Sequence, residues 1–173
     1  MTAAAKPQDA IALLKDDHAK VKAMFEQYDE LGDRAFVAKK KLADQICTEL
    51  TKHATAEEEI FYPAVRAAVD DSEDLVDEAT VEHASAKDLI AQILGMDSHD
   101  DLYDAKVKVL GELIDHHVGE EEGEMFPKAR KSGLDLVELA VQIAQRKEEV
   151  EVPLADMRPA MQGAPGGRLP AGR

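Results

Sequence analysis

The stretch His53-Ala-Thr-Ala-Glu57-Glu58-Glu59-Ile60-Phe61-Tyr62-Pro63 returns 64 residues later as His117-Val-Gly-Glu-Glu121-Glu122-Gly123-Glu124-Met125-Phe126-Pro127. Both copies read His-x3-Glu, then six residues to proline. On an α-helix, positions four apart sit about 40° apart around the axis and roughly 6 Å along it. Each copy therefore aims an imidazole and a carboxylate at one point, which is a metal-ligand spacing.

The repeat is larger than this motif. His18 to His83 is 65 residues, and Glu57 to Glu121 and Pro63 to Pro127 are each 64. The chain thus holds two copies of a helix pair, each supplying one histidine from its first helix and a His-x3-Glu pair from its second. The candidate metal ligands are His18, His53, Glu57, His83, His117 and Glu121. Four histidines and two glutamates at matched offsets on four helices form an improbable accident, and in a bundle core without metal they would leave costly buried polar groups.

The helices follow from apolar residues recurring three and four apart, against only 4% aromatics and no alternating β-branched runs. The first helix is expected from Pro7, with Asp9 in its acid-favouring first turn, to near Gly32. The second starts after Asp33 and runs through His53 and Glu57 until Pro63 disturbs it. Ser72 caps the third, which ends near Gly95, and Ser98 caps the fourth, which reaches Pro127. A shorter amphipathic helix from Ser132, with Asp135 three residues on, docks against the bundle through Leu136, Leu139 and Ile143. The expected fold is all-α: an antiparallel up-and-down four-helix bundle over residues 1–158, with that shorter C-terminal helix, and a disordered tail over 159–173 rich in Gly, Pro, Ala and Arg.

Composition narrows the partners. Among 173 residues, 21 basic against 36 acidic side chains give a formal charge of −15, which repels nucleic acid and anionic membrane and favours cations. Cys47 is the single cysteine, so no intrachain disulfide forms, and a reducing, cytoplasmic setting fits. No signal-peptide run and no apolar stretch long enough to span a bilayer is present. A monomer is the default.

Four imidazoles and two carboxylates without thiolate suit iron or manganese better than a four-coordinate structural zinc site, with iron the first choice. Pseudo-twofold symmetry favours two metals. If both glutamates bridge, each metal receives two histidines and two carboxylate oxygens, leaving room for an exogenous ligand.

These residues resemble the hemerythrin-like family of four-helix bundles with a non-haem di-iron centre. The resemblance spans about residues 8–150 and rests on Asp17-His18, His53-x3-Glu57 with Phe61-Tyr62-Pro63, Glu82-His83, and His117-x3-Glu121 with Met125-Phe126-Pro127. It implies two iron ions, oxo- or hydroxo-bridged, held by the six residues named above. Oxygen-carrying members place a second histidine one turn after the first on the third helix, where this chain has Lys87, and that departure points away from reversible oxygen carriage. The order His, His-x3-Glu, His, His-x3-Glu is similar to bacterial members linked to peroxide decomposition, nitric-oxide chemistry, or oxygen and iron sensing. The resemblance therefore implies a protein acting on O2, H2O2 or NO, with a sensor or a metal carrier as the alternatives.

The remaining site-adjacent residues have quieter expectations. Lys22 follows His18 by four as Lys87 follows His83, so both ammonium groups are placed to pair with bridging or outer carboxylates. Glu58, Glu59, Glu120, Glu122 and Glu124 are available to accept from ligating imidazoles. His116 points about 100° away from His117 and reads as a flanking residue, and His99 as a solvent-facing loop residue. Tyr62 lies nearly opposite His53 on an ideal helix and reads as outer packing unless Pro63 distorts the turn. Phe25, Phe61, Met24, Met125 and Phe126 are core residues first. Gly119 and Gly123, each costing about 1 kcal/mol in a helix, suggest close approach of a helix or a substrate.

Overall fold

The computed structural model describes residues 8–154, which hold helices and no strand. The elements are α1 (Ala10–Asp29), α2 (Phe36–Ala56), α3 (Tyr62–Ala68), α4 (Glu73–Leu94), α5 (Tyr103–Glu120), α6 (Phe126–Lys131) and α7 (Leu136–Glu149). Single π turns, Glu57–Phe61 and Glu121–Met125, join α2 to α3 and α5 to α6 without a break. The bundle is therefore α1, α2–α3, α4 and α5–α6. Helix α1 packs on α2, α2 on α4, α4 on α5, and α5 back on α1, which closes the ring; α7 lies across α1 and α2. None of the described helices is long and apolar enough to cross a membrane.

The prolines do not stop the helices, and the π turns explain why. In an α-helix, Pro63 would lack its N–H toward Glu59 and its ring would meet that carbonyl. Here the Tyr62 N–H reaches back five residues to the Glu57 carbonyl, so the ladder slips by one and Pro63 falls in the first turn of a new α segment. Phe126 does the same with Glu121, putting Pro127 in the equivalent place. The sequence repeat is thus a backbone repeat.

Three helix starts differ from the sequence reading. Asp9 is the N-cap of α1, its Oδ1 accepting the Ala12 N–H at 2.8 Å, rather than a first-turn acid; Pro7 lies outside the described residues. Helix α5 begins at Tyr103, not near Ser98, because Asp97 and Asp100 fold the intervening polar residues into turns: Oδ2 of Asp100 accepts the Asp97 N–H at 3.0 Å. Helix α7 begins at Leu136 with Asp135 as its cap, accepting the Glu138 N–H at 3.0 Å, while the Ser132 hydroxyl donates to the Ala129 carbonyl. Ser72 does precede α4, but its buried hydroxyl turns to the Val65 carbonyl and leaves the helix end uncapped. Gly133, at φ +81°, supplies the left-handed turn into α7. The tail expected over 159–173 lies outside the described residues.

Two apolar clusters divide the interior. One gathers Ile11, Leu14, Phe61, Tyr62, Val65, Phe126 and Ile143. The other gathers Val21, Ile46, Leu50, Ile90, Tyr103 and Leu110. Between them lies a polar layer of His18, His53, Glu57, His83, His117 and Glu121, all buried. Among the described glycines, Gly111 has a packing role: a Cβ there would stand 3.2 Å from the Phe25 ring. Gly119 and Gly123 face open space instead, so no neighbouring helix approaches closely at either position.

The Asp9 cap also accepts from Arg130 of α6 at 3.0 Å. Burial opposes its charge, but the Ala12 N–H and Arg130 outweigh burial and lower its pKa below 3.8. Asp9→Ala is expected to cost about 1 kcal/mol and to lower the midpoint of thermal unfolding by about 2–4 °C. Because the folded pKa is depressed, the stabilisation is present above the unfolded pKa of 3.8 and is lost as pH falls through the folded value, so wild type and variant should converge in acid melts.

Candidate metal centre

All six candidate ligands come together in one layer, in two groups that share both glutamates. One group is His18, His53, Glu57 and Glu121; the other is Glu57, His83, His117 and Glu121. In the first, His53 Nε2 lies 3.1 Å from Glu57 Oε1, and His18 Nε2 lies 3.3 Å from Glu121 Oε2. In the second, His83 Nε2 lies 3.3 Å from Glu57 Oε2, and His117 Nε2 lies 3.2 Å from Glu121 Oε1. Each carboxylate thus turns one oxygen to each histidine pair.

The tautomers are set from outside. Each Nδ1–H donates to a carboxylate on a neighbouring helix: His18 to Glu122 at 2.9 Å, His53 to Asp17 at 3.0 Å, His83 to Glu58 at 2.9 Å and His117 to Glu82 at 2.6 Å. With the proton held on Nδ1, every Nε2 presents a lone pair inward. His18 and His53 then face each other Nε2 to Nε2 at 3.1 Å, and His83 and His117 at 3.0 Å. Opposed lone pairs at that distance require a positive charge between them.

The carboxylates make the same demand. Glu57 Oε1 and Glu121 Oε2 are buried without a hydrogen-bond partner, on the side of the first group. Two donors on arms of about 2.1 Å, at bond angles of about 95–104°, lie about 3.1–3.3 Å apart, which is the spacing found here. This buried histidine and glutamate cluster is able to hold a metal ion. Without one, protons have to serve: burial pushes the His53 imidazole down, but the Glu57 charge and the hydrogen bond to Asp17 raise it to about 10. His117 is likewise raised against burial, to about 9, by Glu121. Glu57 is held well below the ordinary carboxylate value, burial notwithstanding, by His53 and His83. Glu121 is lowered too, although burial and the Glu57 charge oppose it, by His117 and His18.

The two groups are not equivalent. The Tyr62 hydroxyl enters the second, donating to Glu121 Oε1 at 2.5 Å and lying 3.2 Å from His83 Nε2. The sequence reading placed this ring in outer packing. The π turn rotates Tyr62 by roughly one residue relative to an ideal α-helix and brings its oxygen in. Burial and the two glutamate charges push this phenol far above its ordinary value, so it keeps its proton. Its counterpart in the repeat, Phe126, instead stacks on His18 with ring centroids 5.7 Å apart.

The outer residues sort as follows. Glu58 and Glu122 accept from ligand imidazoles, whereas Glu59 pairs with Arg146, Glu120 faces His116 and Glu124 pairs with Lys128. Lys87 donates to Glu58 at 2.5 Å, an outer carboxylate, while among the described residues Lys22 has no ion-pair partner. His116 is 62% exposed and flanks the site, and His99 is an exposed loop residue that stacks on Phe36. Asp17 and Glu82 as imidazole partners went unread in the sequence. Their signal was an acid directly before His18 and His83, but each acid serves a histidine on another helix.

Comparison with known proteins agrees with this architecture. Residues 9–129 match the Hemerythrin HHE cation binding domain family. A DNA nickase from Nostoc sp. strain PCC 7120 is 31% identical over 127 residues, covering 72% of this chain; the chain spans about a third, 34%, of that relative's length. The crystal structure of a Hemerythrin HHE cation binding domain-containing protein from Mycobacterium kansasii shares 24% identity with a TM-score of 0.70, over 82% of this chain and 86% of that one. The fold is common to both.

Loss of an outer acceptor should weaken the site without unmaking the bundle. Asp17→Ala and Glu82→Ala are each expected to lower metal affinity by about 10–100-fold, read by chelator competition, with helical circular dichroism retained. Unchanged affinity in both would separate these carboxylates from the site.

Proposed function

Because the chain belongs to the hemerythrin HHE cation-binding family, we propose that it is a non-haem di-iron protein that takes O2, hydrogen peroxide or NO and turns over peroxide, alone or with NO. His18, His53, Glu57 and Glu121 would hold one ion, and His83, His117, Glu57 and Glu121 the other. One observation carries this reading: each buried glutamate offers one oxygen to each histidine pair. A single ion would leave two of those oxygens and one pair of opposed imidazoles uncompensated. The nitrogen and oxygen donor set, without thiolate, favours iron.

Iron would supply one-electron redox change and a coordination position for a small oxidant. The chain supplies the rest. Four outer carboxylates hold the imidazoles in register, and Tyr62 keeps a proton at the edge of the second group, 3.2 Å from His83 Nε2. The four imidazoles also border a cavity of about 30 Å³ walled by Val21, Leu50, Ala86, Ile90, Ile114 and Val118. At roughly 10–15 Å³ for each water-sized sphere, that is room for about two or three. It suits a diatomic gas or peroxide, and its apolar walls limit water.

We further propose that the protein works as a monomer in the cytoplasm on small molecules, a setting that fits the single, buried Cys47. Nicking of DNA does not transfer from the Nostoc relative in this reading, since a charge of −15 opposes the phosphate backbone.

Reconstituted protein is expected to hold two irons per chain by metal analysis and to evolve O2 from H2O2 over many turnovers, or to consume NO with peroxide. Glu57→Gln and Glu121→Gln are each expected to abolish this. Stoichiometric oxidation without turnover would overturn the enzymatic reading in favour of a sensor or carrier, and one ion per chain would overturn the di-iron reading. Ala86→Leu, which fills the cavity, is expected to lower kcat/KM for peroxide by about tenfold or more while iron content is unchanged, at a stability cost of about 1–3 kcal/mol from overpacking.

A further inference from the structure

We infer a second, peripheral cation site built from Glu82 of α4 with His116 and Glu120 of α5, for a divalent first-row metal such as Zn2+ or Fe2+, linked to the interior through Glu82. His116 and Glu120 repeat the His-x3-Glu spacing of the interior ligands one residue earlier, on the outward face of α5. His116 Nε2 stands 3.3 Å from Glu82 Oε1 and 3.3 Å from Glu120 Oε1. One ligand atom from each of the three lies within 4.8 Å of the others. Neither 3.3 Å contact is a hydrogen bond, but that separation suits two donors on arms of about 2.1 Å around one ion. One imidazole and two carboxylates are a donor set for such a cation.

The internal repeat supplies an independent argument. Glu82 corresponds to Asp17, and each accepts an Nδ1–H from a ligand imidazole, His117 and His53 respectively. Asp17 is also neutralised: Lys147 of α7 donates to both of its oxygens at 2.6 Å. Glu82 has no lysine or arginine partner among the described residues. Its side chain is only 12% exposed, so water compensates it poorly, and its second oxygen turns to His116 and Glu120. In one half of the molecule an ammonium neutralises this outer carboxylate; in the other a metal would do so. Since Glu82 Oε2 holds the His117 Nδ1–H, an ion on Oε1 would draw charge from that hydrogen bond and so alter the basicity of an interior ligand.

The test is a Zn2+ titration of the metal-replete protein, with bound metal counted after removal of free ion. One additional zinc per chain is expected, with binding weakened at least about tenfold in His116→Ala and in Glu120→Gln while interior metal and helicity stay unchanged. Equal zinc uptake in wild type and both variants would overturn the site. The near-ultraviolet and visible bands of the interior metal should shift when zinc binds wild type and stay fixed in His116→Ala; zinc uptake without a shift would overturn the link through Glu82. Should the interior prove not to hold iron, the one-zinc difference between wild type and His116→Ala still decides the peripheral site.

Discussion

The burial of two carboxylates, Glu57 and Glu121, between apolar clusters is the constraint on which the structure turns. Both are essentially excluded from solvent. An ion taken out of water at such depth is tolerated only with compensation of comparable strength, so everything around them is charge placement. Four imidazoles surround the pair, four outer carboxylates orient the imidazoles, and lysines from α4 and α7 neutralise two of those carboxylates. Each shell offsets the one inside it. A cation at the centre replaces protons that the imidazoles would otherwise bind, so metal uptake and proton release are two sides of one exchange.

The pseudo-twofold repeat builds this arrangement twice and then departs from itself. Tyr62 and Phe126 occupy matching positions, yet one brings a hydroxyl into the cluster and the other a ring face onto His18. Lys87 binds its outer glutamate while its counterpart Lys22 does not. Two ions in such a frame would share bridging ligands but not surroundings, which is how a symmetric scaffold makes one ion differ from its neighbour.

What the sequence made legible was what depends on helical period alone. His53 and Glu57, or His117 and Glu121, needed only a 3.6-residue repeat to share a face, and the 64- and 65-residue offsets joined them to His18 and His83. Helix order and the position of Ser72 before α4 followed from the same kind of reading. The π turns stayed hidden because five residues of altered register leave no signature in an apolar pattern, and Tyr62 was misplaced with them. Asp17 and Glu82 were hidden for another reason: their partners sit on different helices, and cross-helix pairing depends on rotations that no local spacing encodes. The start of α5 was missed because Asp97 and Asp100 compete for backbone groups as strongly as Ser98 does.

Helix α7 lies beyond the residues 9–129 that match the family, and outside the four-helix ring. Yet Lys147 reaches back to Asp17, the acceptor that orients His53, and Arg146 reaches Glu59 in the first π turn. Ile143 is fully buried in the cluster beneath the site. The boundary drawn by family likeness and the boundary drawn by electrostatics therefore do not coincide. A segment that a domain definition would treat as an appendix is, in charge and in packing, part of the wall of one half of the centre, and it gives Asp17 an ammonium partner that Glu82, its counterpart, lacks among the described residues.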